Sequence, residues 1–166
     1  YSQISALPQK LRDRLSQEVP ILSFQVKKVS ASSDGKCFKT LLALGASQVI
    51  ETVLMAPKPG LWSVCVSSQA GCALACSFCA TGLLGFKKNL TSEEITDQVL
   101  FWRQFHRQKR LSGKITNVVY MGMGEPMLNF DAVKESVSWL NNPVYYGMAQ
   151  RSISISTAGI IPGIDR

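Results

Sequence analysis

Gly71-Cys72-Ala73-Leu74-Ala75-Cys76-Ser77-Phe78-Cys79-Ala80-Thr81-Gly82 is the stretch on which the rest of the chain turns. Its three cysteines fall within eight residues at C-x3-C-x2-C spacing, too dense a cluster for packing alone to explain. Gly71, Ala73, Ala75, Ser77 and Ala80 are small and leave room among the thiols for a bulky object. Three thiolates facing inward repel one another unless a cation or an iron-sulfur cluster neutralises them. Just upstream, Leu61 to Val66 is an apolar strand that delivers this loop at its carboxyl end. Active sites of parallel α/β barrels are built at that end of the strands.

A structural zinc site closes with four ligands, usually as two short Cys/His pairs. No second pair follows here: His106 is the one histidine, and Cys37 and Cys65 stand alone. A 4Fe-4S cluster with three protein ligands and one open iron fits the odd count better. At this point C-x3-C-x-aromatic-C resembles the signature of the radical S-adenosylmethionine (SAM) enzymes. The flanks narrow the resemblance: Val64-Cys65-Val66-Ser67-Ser68-Gln69-Ala70-Gly71, Gly85-Phe86-Lys87-Lys88-Asn89-Leu90-Thr91, Met121-Gly122-Met123-Gly124-Glu125-Pro126-Met127-Leu128-Asn129 and Ser154-Ile155-Ser156-Thr157-Ala158-Gly159-Ile160-Ile161-Pro162-Gly163. Together, in this order, they resemble the radical SAM RNA methyltransferases that act on carbon 2 of adenine, from about residue 5 to the end.

The resemblance implies an α/β fold: the first half of a partial (β/α)6 barrel over 61–166, preceded by a small helix and antiparallel β-meander module over 1–56. It implies two cofactors, a 4Fe-4S cluster held by Cys72, Cys76 and Cys79, and SAM held by Phe78, Gly124, Glu125 and Ser156. In that family one SAM methylates a protein cysteine, a second yields a radical that activates this methyl group, and the carbon radical adds to the adenine. Glu51 then matches the acceptor of the ring proton, and Cys65 the cysteine that resolves the protein-RNA adduct and leaves a disulfide. The implied partners are 23S rRNA, tRNA and an electron donor such as flavodoxin, with the enzyme a monomer. The methyl-carrying cysteine belongs to the carboxyl-terminal part of the family, and no cysteine follows Cys79 here. A start at Tyr1 and a stop at Ile164-Asp165-Arg166 read as a fragment, expected to be inactive by itself.

Composition is compatible with this reading. Hydrophobic residues make up 46% and charged residues 17%, which argues for a folded globule over disorder. No apolar run approaches the roughly 20 residues of a membrane span, and the amino terminus lacks a signal-peptide pattern, which places the chain in the cytoplasm. Five cysteines, three of them in one loop, make a poor disulfide framework and a good metal or redox pattern. The net charge of +7 is spread over both halves, eight Lys/Arg against four acids in residues 1 to 60 and ten against seven beyond, and suits a polyanionic partner such as RNA.

Along the chain, residues 5 to 18 read as a helix capped by Ser5, with Leu7, Leu11, Leu15 and Val19 on one face. Ser23 to Ser30, Cys37 to Leu44 and Gln48 to Met55 read as an antiparallel meander with turns at Ser33-Asp34-Gly35-Lys36 and Gly45-Ala46-Ser47. Glu51 in this alternating strand is by itself a residue of the solvent face; only the resemblance makes it catalytic. Cys37 has no motif around it and reads as inert core. Ala56-Pro57-Lys58-Pro59-Gly60 reads as a linker. Thr91-Ser92-Glu93-Glu94 is a capping box opening a helix that buries Ile95, Val99, Trp102 and Phe105. Its tail, Arg103 to Lys114, holds five basic residues and no acid, placed either for the helix dipole or for RNA. A strand over Ile115 to Met121, a helix capped by Asn129 with Val133, Val137 and Leu140 on one face, and a strand over Ser152 to Ser156 complete two βαβ units. Two other readings stay open. A relative of the family methylates carbon 8 of the same adenine but carries Ala where this chain has Pro126, and a zinc-bearing RNA-binding module would need no catalysis.

Overall fold

The fold was examined in a computed structural model, which describes residues 4–45 and 47–165; Ala46 of the second turn, and Tyr1 and Arg166 at the ends, lie outside them. The period-two patterning upstream of the cysteine loop forms β1 (Gln25–Ala31), β2 (Cys37–Leu44) and β3 (Gln48–Lys58), each antiparallel to the next. β4 (Leu61–Cys65) follows by a hairpin and runs into the short β5 (Gln69–Ala70). After the cysteine loop come α2 (Ala80–Leu83), β6 (Lys88–Asn89), α3 (Ser92–Gln108), β7 (Lys114–Tyr120), α4 (Phe130–Asn141), β8 (Ile153–Ile155) and α5 (Ile161–Ile164). β4, β7 and β8 are parallel, with α3 and α4 as the crossovers, so six strands make one sheet in the order β1-β2-β3-β4-β7-β8.

The core lies on one face of this sheet. α3 starts where the capping box requires: the Thr91 hydroxyl accepts from Glu94 N–H at 3.2 Å, and the Glu94 carboxylate accepts from Thr91 N–H at 3.0 Å. The helix buries Ile95, Val99, Phe101, Trp102 and Phe105. Phe105 meets Phe38 of β2 edge-on at 5.1 Å, and the Trp102 indole N–H donates to the Thr52 hydroxyl of β3 at 3.1 Å. α4 covers the adjoining strip, where Tyr120 and Ser136 share a buried hydroxyl hydrogen bond of 2.7 Å. The opposite face is largely open, and the strand register sets Ser30, Lys39, Val53, Cys65, Val119 and Ser154 side by side along one row of it.

Several boundaries differ from the sequence reading. α1 runs over Gln9–Glu18, with Pro8 and not Ser5 at its cap position, because a proline biases the preceding Leu7 away from helical geometry. No residue of α1 is buried, and Leu11 and Val19 of its apolar stripe remain 40% and 43% exposed. Residues 56 to 60, read as a linker, are the end of β3 and a tight hairpin turn in which Lys58 pairs with Leu61. Pro57 lies where the β3–β4 register slips between Met55 and Lys58, a place where its missing N–H is tolerated. Gly60 and Gly113 cross so closely that a Cβ on Gly113 would overlap the Gly60 backbone. The pairing of β5 with β6, absent from the sequence reading, ties the two ends of the cysteine loop together.

Asp97 on α3 accepts the Ser23 N–H at 2.7 Å, tying the entry of β1 to the helix. Burial pushes its carboxyl above the usual range, outweighing the two hydrogen bonds from Ser23, with Glu93 and Glu94 adding to the rise. A raised folded-state value contributes stability that is present below the unfolded-state pKa and is lost as pH rises through the folded one. Asp97→Asn keeps an acceptor for Ser23 without the charge. Its melting temperature relative to the parent is expected to climb between pH 3 and pH 7 in calorimetric scans; a difference independent of pH would show that Asp97 is not the titrating group.

Candidate active site at the carboxyl ends of the parallel strands

Beyond β4 the chain leaves the sheet while still buried: Ser67, Ser68 and Gln69 are at most 2% exposed. Backbone groups in such a place need partners from elsewhere. Gln98 of α3 supplies them, its side-chain oxygen accepting the Ser67 N–H at 2.9 Å and its amide donating to the Ser67 carbonyl at 3.0 Å. The Ser67 hydroxyl donates to the Glu51 carbonyl at 2.6 Å and accepts from Met123 N–H at 2.9 Å, joining β3 to the turn after β7. Gln69 accepts from Glu125 N–H at 2.8 Å and donates to Asn89 at 2.7 Å, so the root of the cysteine loop is fastened to the Gly-Met-Gly-Glu-Pro turn. Asn129 stands at the head of α4 as expected but caps nothing; its amide donates to the Ser68 and Leu90 carbonyls, both at 2.8 Å.

The two glycines of the turn are required by this packing. A Cβ on Gly122 would lie 2.6 Å from the Val66 carbonyl oxygen, and one on Gly124, at φ +100°, would lie 2.5 Å from Gln69 Cβ. The atoms these glycines let approach are the protein's own. Glu125 is 4% exposed, and its carboxylate accepts from Met127 N–H at 2.9 Å and from Ala158 N–H at 2.8 Å, bridging the ends of β7 and β8. Gly124, Glu125 and Ser156 thereby meet in one open groove of about 370 Å³, lined also by Tyr120, Met121, Gly122, Thr157 and Ala158. That is the volume of a small-ligand site.

The cysteine loop is exposed at its tip. Cys72, Cys76 and Cys79 are half-buried free thiols, and Phe78 is 91% exposed. Backbone hydrogen bonds from Gly82 and Thr81 pull the Cys79 thiol below its usual pKa, an environment that favours the thiolate. Gly71 could not carry a side chain, since a Cβ there would overlap the Gly85 carbonyl across the ribbon. The donor set, three thiols on one tethered loop among small residues, fits a cluster. Among the described residues no three His, Cys, Asp or Glu side chains form a metal-holding group.

Cys65 is buried on the open face of the sheet, beside Val53. Burial pushes its thiol up, partly offset by a hydrogen bond from the Met121 backbone. Glu51 lies one step further along β3 on the same face, since residues two apart share a face, and pairs with Lys39 at 3.0 Å, both side chains about half exposed. Cys37 is half-buried, opposite Met55. Gln98, Ser67 and Gln69 are the residues that sequence reasoning missed as parts of the site. Gln98 left a signal, a polar residue one position before Val99 on a buried helix.

No protein-family model matches the chain. Among curated proteins it is 44% identical to the probable dual-specificity RNA methyltransferase RlmN of Chlorobium phaeobacteroides, over 99% of this chain and 47% of the relative. It is 41% identical to the dual-specificity RNA methyltransferase RlmN of Saccharophagus degradans, over 100% of this chain and 42% of the relative. Among solved structures it matches a radical SAM methyltransferase from Sphaerobacter thermophilus with a TM-score of 0.86 and 40% identity, over 96% of this chain and 46% of that one. The fold is thus that of the radical SAM methyltransferase class. More narrowly, the curated relatives it matches are RlmN proteins, and the chain spans about half of their length.

Two outcomes follow from the site's construction. Gln98→Leu strands the Ser67 N–H and carbonyl, at about 1–3 kcal/mol for each buried unpaired group; urea unfolding should show the loss, whereas an unchanged midpoint would mean the clamp is dispensable. In the folded protein, iodoacetamide at neutral pH should label Cys65 much more slowly than the cysteines of the exposed loop, the difference vanishing in urea, as read by peptide mass spectrometry.

Proposed function

We propose that this chain forms the cluster-binding and SAM-binding half of a radical SAM methyltransferase acting on carbon 2 of an adenine in 23S rRNA and in tRNA. The observation that carries the reading is the groove in which Gly124, Glu125 and Ser156 meet, fastened through Gln69 to the root of the cysteine loop. Cys72, Cys76 and Cys79 would hold the 4Fe-4S cluster, and Phe78 would pack against SAM. When bound, the cluster and SAM supply the one-electron chemistry needed to functionalise an aromatic carbon that is not nucleophilic.

The remaining work falls to the chain's own groups. A carboxylate offers about four acceptor positions; Glu125 uses two on backbone N–H groups, which fix its orientation and leave capacity for an ammonium group in the groove. Glu51 is in reach of solvent on the open face, and an exposed ion pair such as Glu51–Lys39 is worth little, so the carboxylate is free to take a ring proton. Cys65, shielded in its thiol form on the same face, would resolve the adduct. Pro126 favours carbon 2 over carbon 8. The whole enzyme would work as a cytoplasmic monomer fed by a reductant such as flavodoxin; among the described residues no helix is long and apolar enough to cross a membrane.

Anaerobic reconstitution with iron and sulfide tests this directly. A brown protein with broad absorption near ~400 nm is expected, and its loss in Cys76→Ala. A colourless protein that retains zinc would support the RNA-binding module instead. The reconstituted chain alone is expected to leave RNA unmethylated by mass spectrometry, as no cysteine after Cys79 is present to carry the methyl group.

A further inference from the structure

Among the described residues two basic clusters lie on opposite sides of the sheet. One is the tail of α3, where Arg107, Lys109 and Arg110 are exposed. The other is the margin of the meander, Lys27 and Lys28 on β1 and Lys39 on β2, likewise exposed. α3 packs on the core face of the sheet, through Phe105 on Phe38 and Trp102 on Thr52. Glu51 and Cys65 lie on the other face. α3 is pinned near the site at its seventh residue, Gln98, on Ser67, and the ten residues after it run about 15 Å toward the amino ends of the parallel strands. Its basic tail is therefore on the wrong face and at the wrong end to touch a nucleotide presented to Glu51.

The meander margin is on the right face. Lys28 pairs with Leu41, and Leu41 pairs with Glu51, so Lys28 stands in the same row as Glu51 two strands away. Two strand spacings are about 10 Å. Lys39 lies one row below, between them, and touches Glu51. A bulge between Val26 and Lys28 leaves Lys27 outside the ladder, which bends the edge of β1. Among the described residues Lys28 has no acidic partner, and Lys27 reaches only Gln25 at 3.5 Å.

We infer that Lys27, Lys28 and Lys39 form the track for the RNA backbone, holding the phosphates beside the nucleotide whose base enters the site at Glu51. An enzyme that works on a base must take it out of the stack, and contacts to the neighbouring phosphates fix its register without reading sequence. The inference rests on the proposed RNA-methylating function and adds the face from which RNA approaches. It also gives the Lys39–Glu51 pair a use: a phosphate that takes Lys39 away leaves the Glu51 carboxylate facing the base alone.

The test measures binding of the chain to an RNA stem-loop with one unpaired adenine, by fluorescence anisotropy across a salt series. Lys27→Glu with Lys28→Glu should weaken binding at least tenfold and flatten the salt dependence by the loss of one to two phosphate contacts. Lys28→Gln should give a smaller change of the same sign, with circular dichroism confirming that β1 still folds. Arg107→Glu with Arg110→Glu should leave both quantities unchanged. Equal losses from both pairs, loss only from the α3 pair, or no RNA binding by the parent chain would overturn the track. Failure of the proposed function is read separately, in the iron-sulfur reconstitution, which these lysines do not touch.

Discussion

The structure depends on how the chain leaves β4 without exposing its backbone. Cys65 ends a strand inside the molecule, and Ser67 to Gln69 must turn away from the sheet where water cannot reach them. A buried peptide group left unpaired is costly, so a partner has to come from a neighbouring element. Gln98 provides it with both ends of its amide, and Ser67 then passes the connection to β3 and to the turn after β7. The ends of β4 and β7, the body of β3 and one helix are fixed by a handful of hydrogen bonds around a single serine. The cysteine loop, which has little packing of its own, inherits its position from this root.

Continuity of the sheet is the second constraint. β4 pairs with β3 on one edge and with β7 on the other, antiparallel to the first and parallel to the second. Because of that double role the meander is no appendage to the half-barrel: Glu51 comes from the meander and Cys65 from the first parallel strand, yet they share a face. The side of the sheet opposite that face is filled by α3 and α4, where the aromatic residues Phe38, Phe101, Trp102 and Phe105 interlock. The other side carries thiols, hydroxyls and charges.

The groove shows the same economy of means. Glycines at 122 and 124 let the turn after β7 lie against Val66 and Gln69, and Glu125, once placed, draws the end of β8 toward it through Ala158. A buried carboxylate with two backbone donors and spare lone pairs is a fixed acceptor. Cys65, a few residues away along a neighbouring strand, is treated oppositely: its burial disfavours the charged form.

Much of this was legible in the residues alone. The three cysteines, the capping box at Thr91, the alternation in Cys37–Leu44 and Gln48–Met55, and the strand-helix-strand order after Leu61 are local signals, set by spacing along a single element. Local signals failed where a distant segment had the stronger claim: Asn129 serves two carbonyls from other loops in place of its own helix, and Pro57 sits in a strand because the ladder slips there. The sequence by itself determined which residues lie on which side of their own helix or strand. Only the tertiary structure decided which of those sides meet, since strand register and the packing of α3 put Glu51, Lys28 and Cys65 on one face and the α3 tail on the other, and a period along the chain carries no information about register across it.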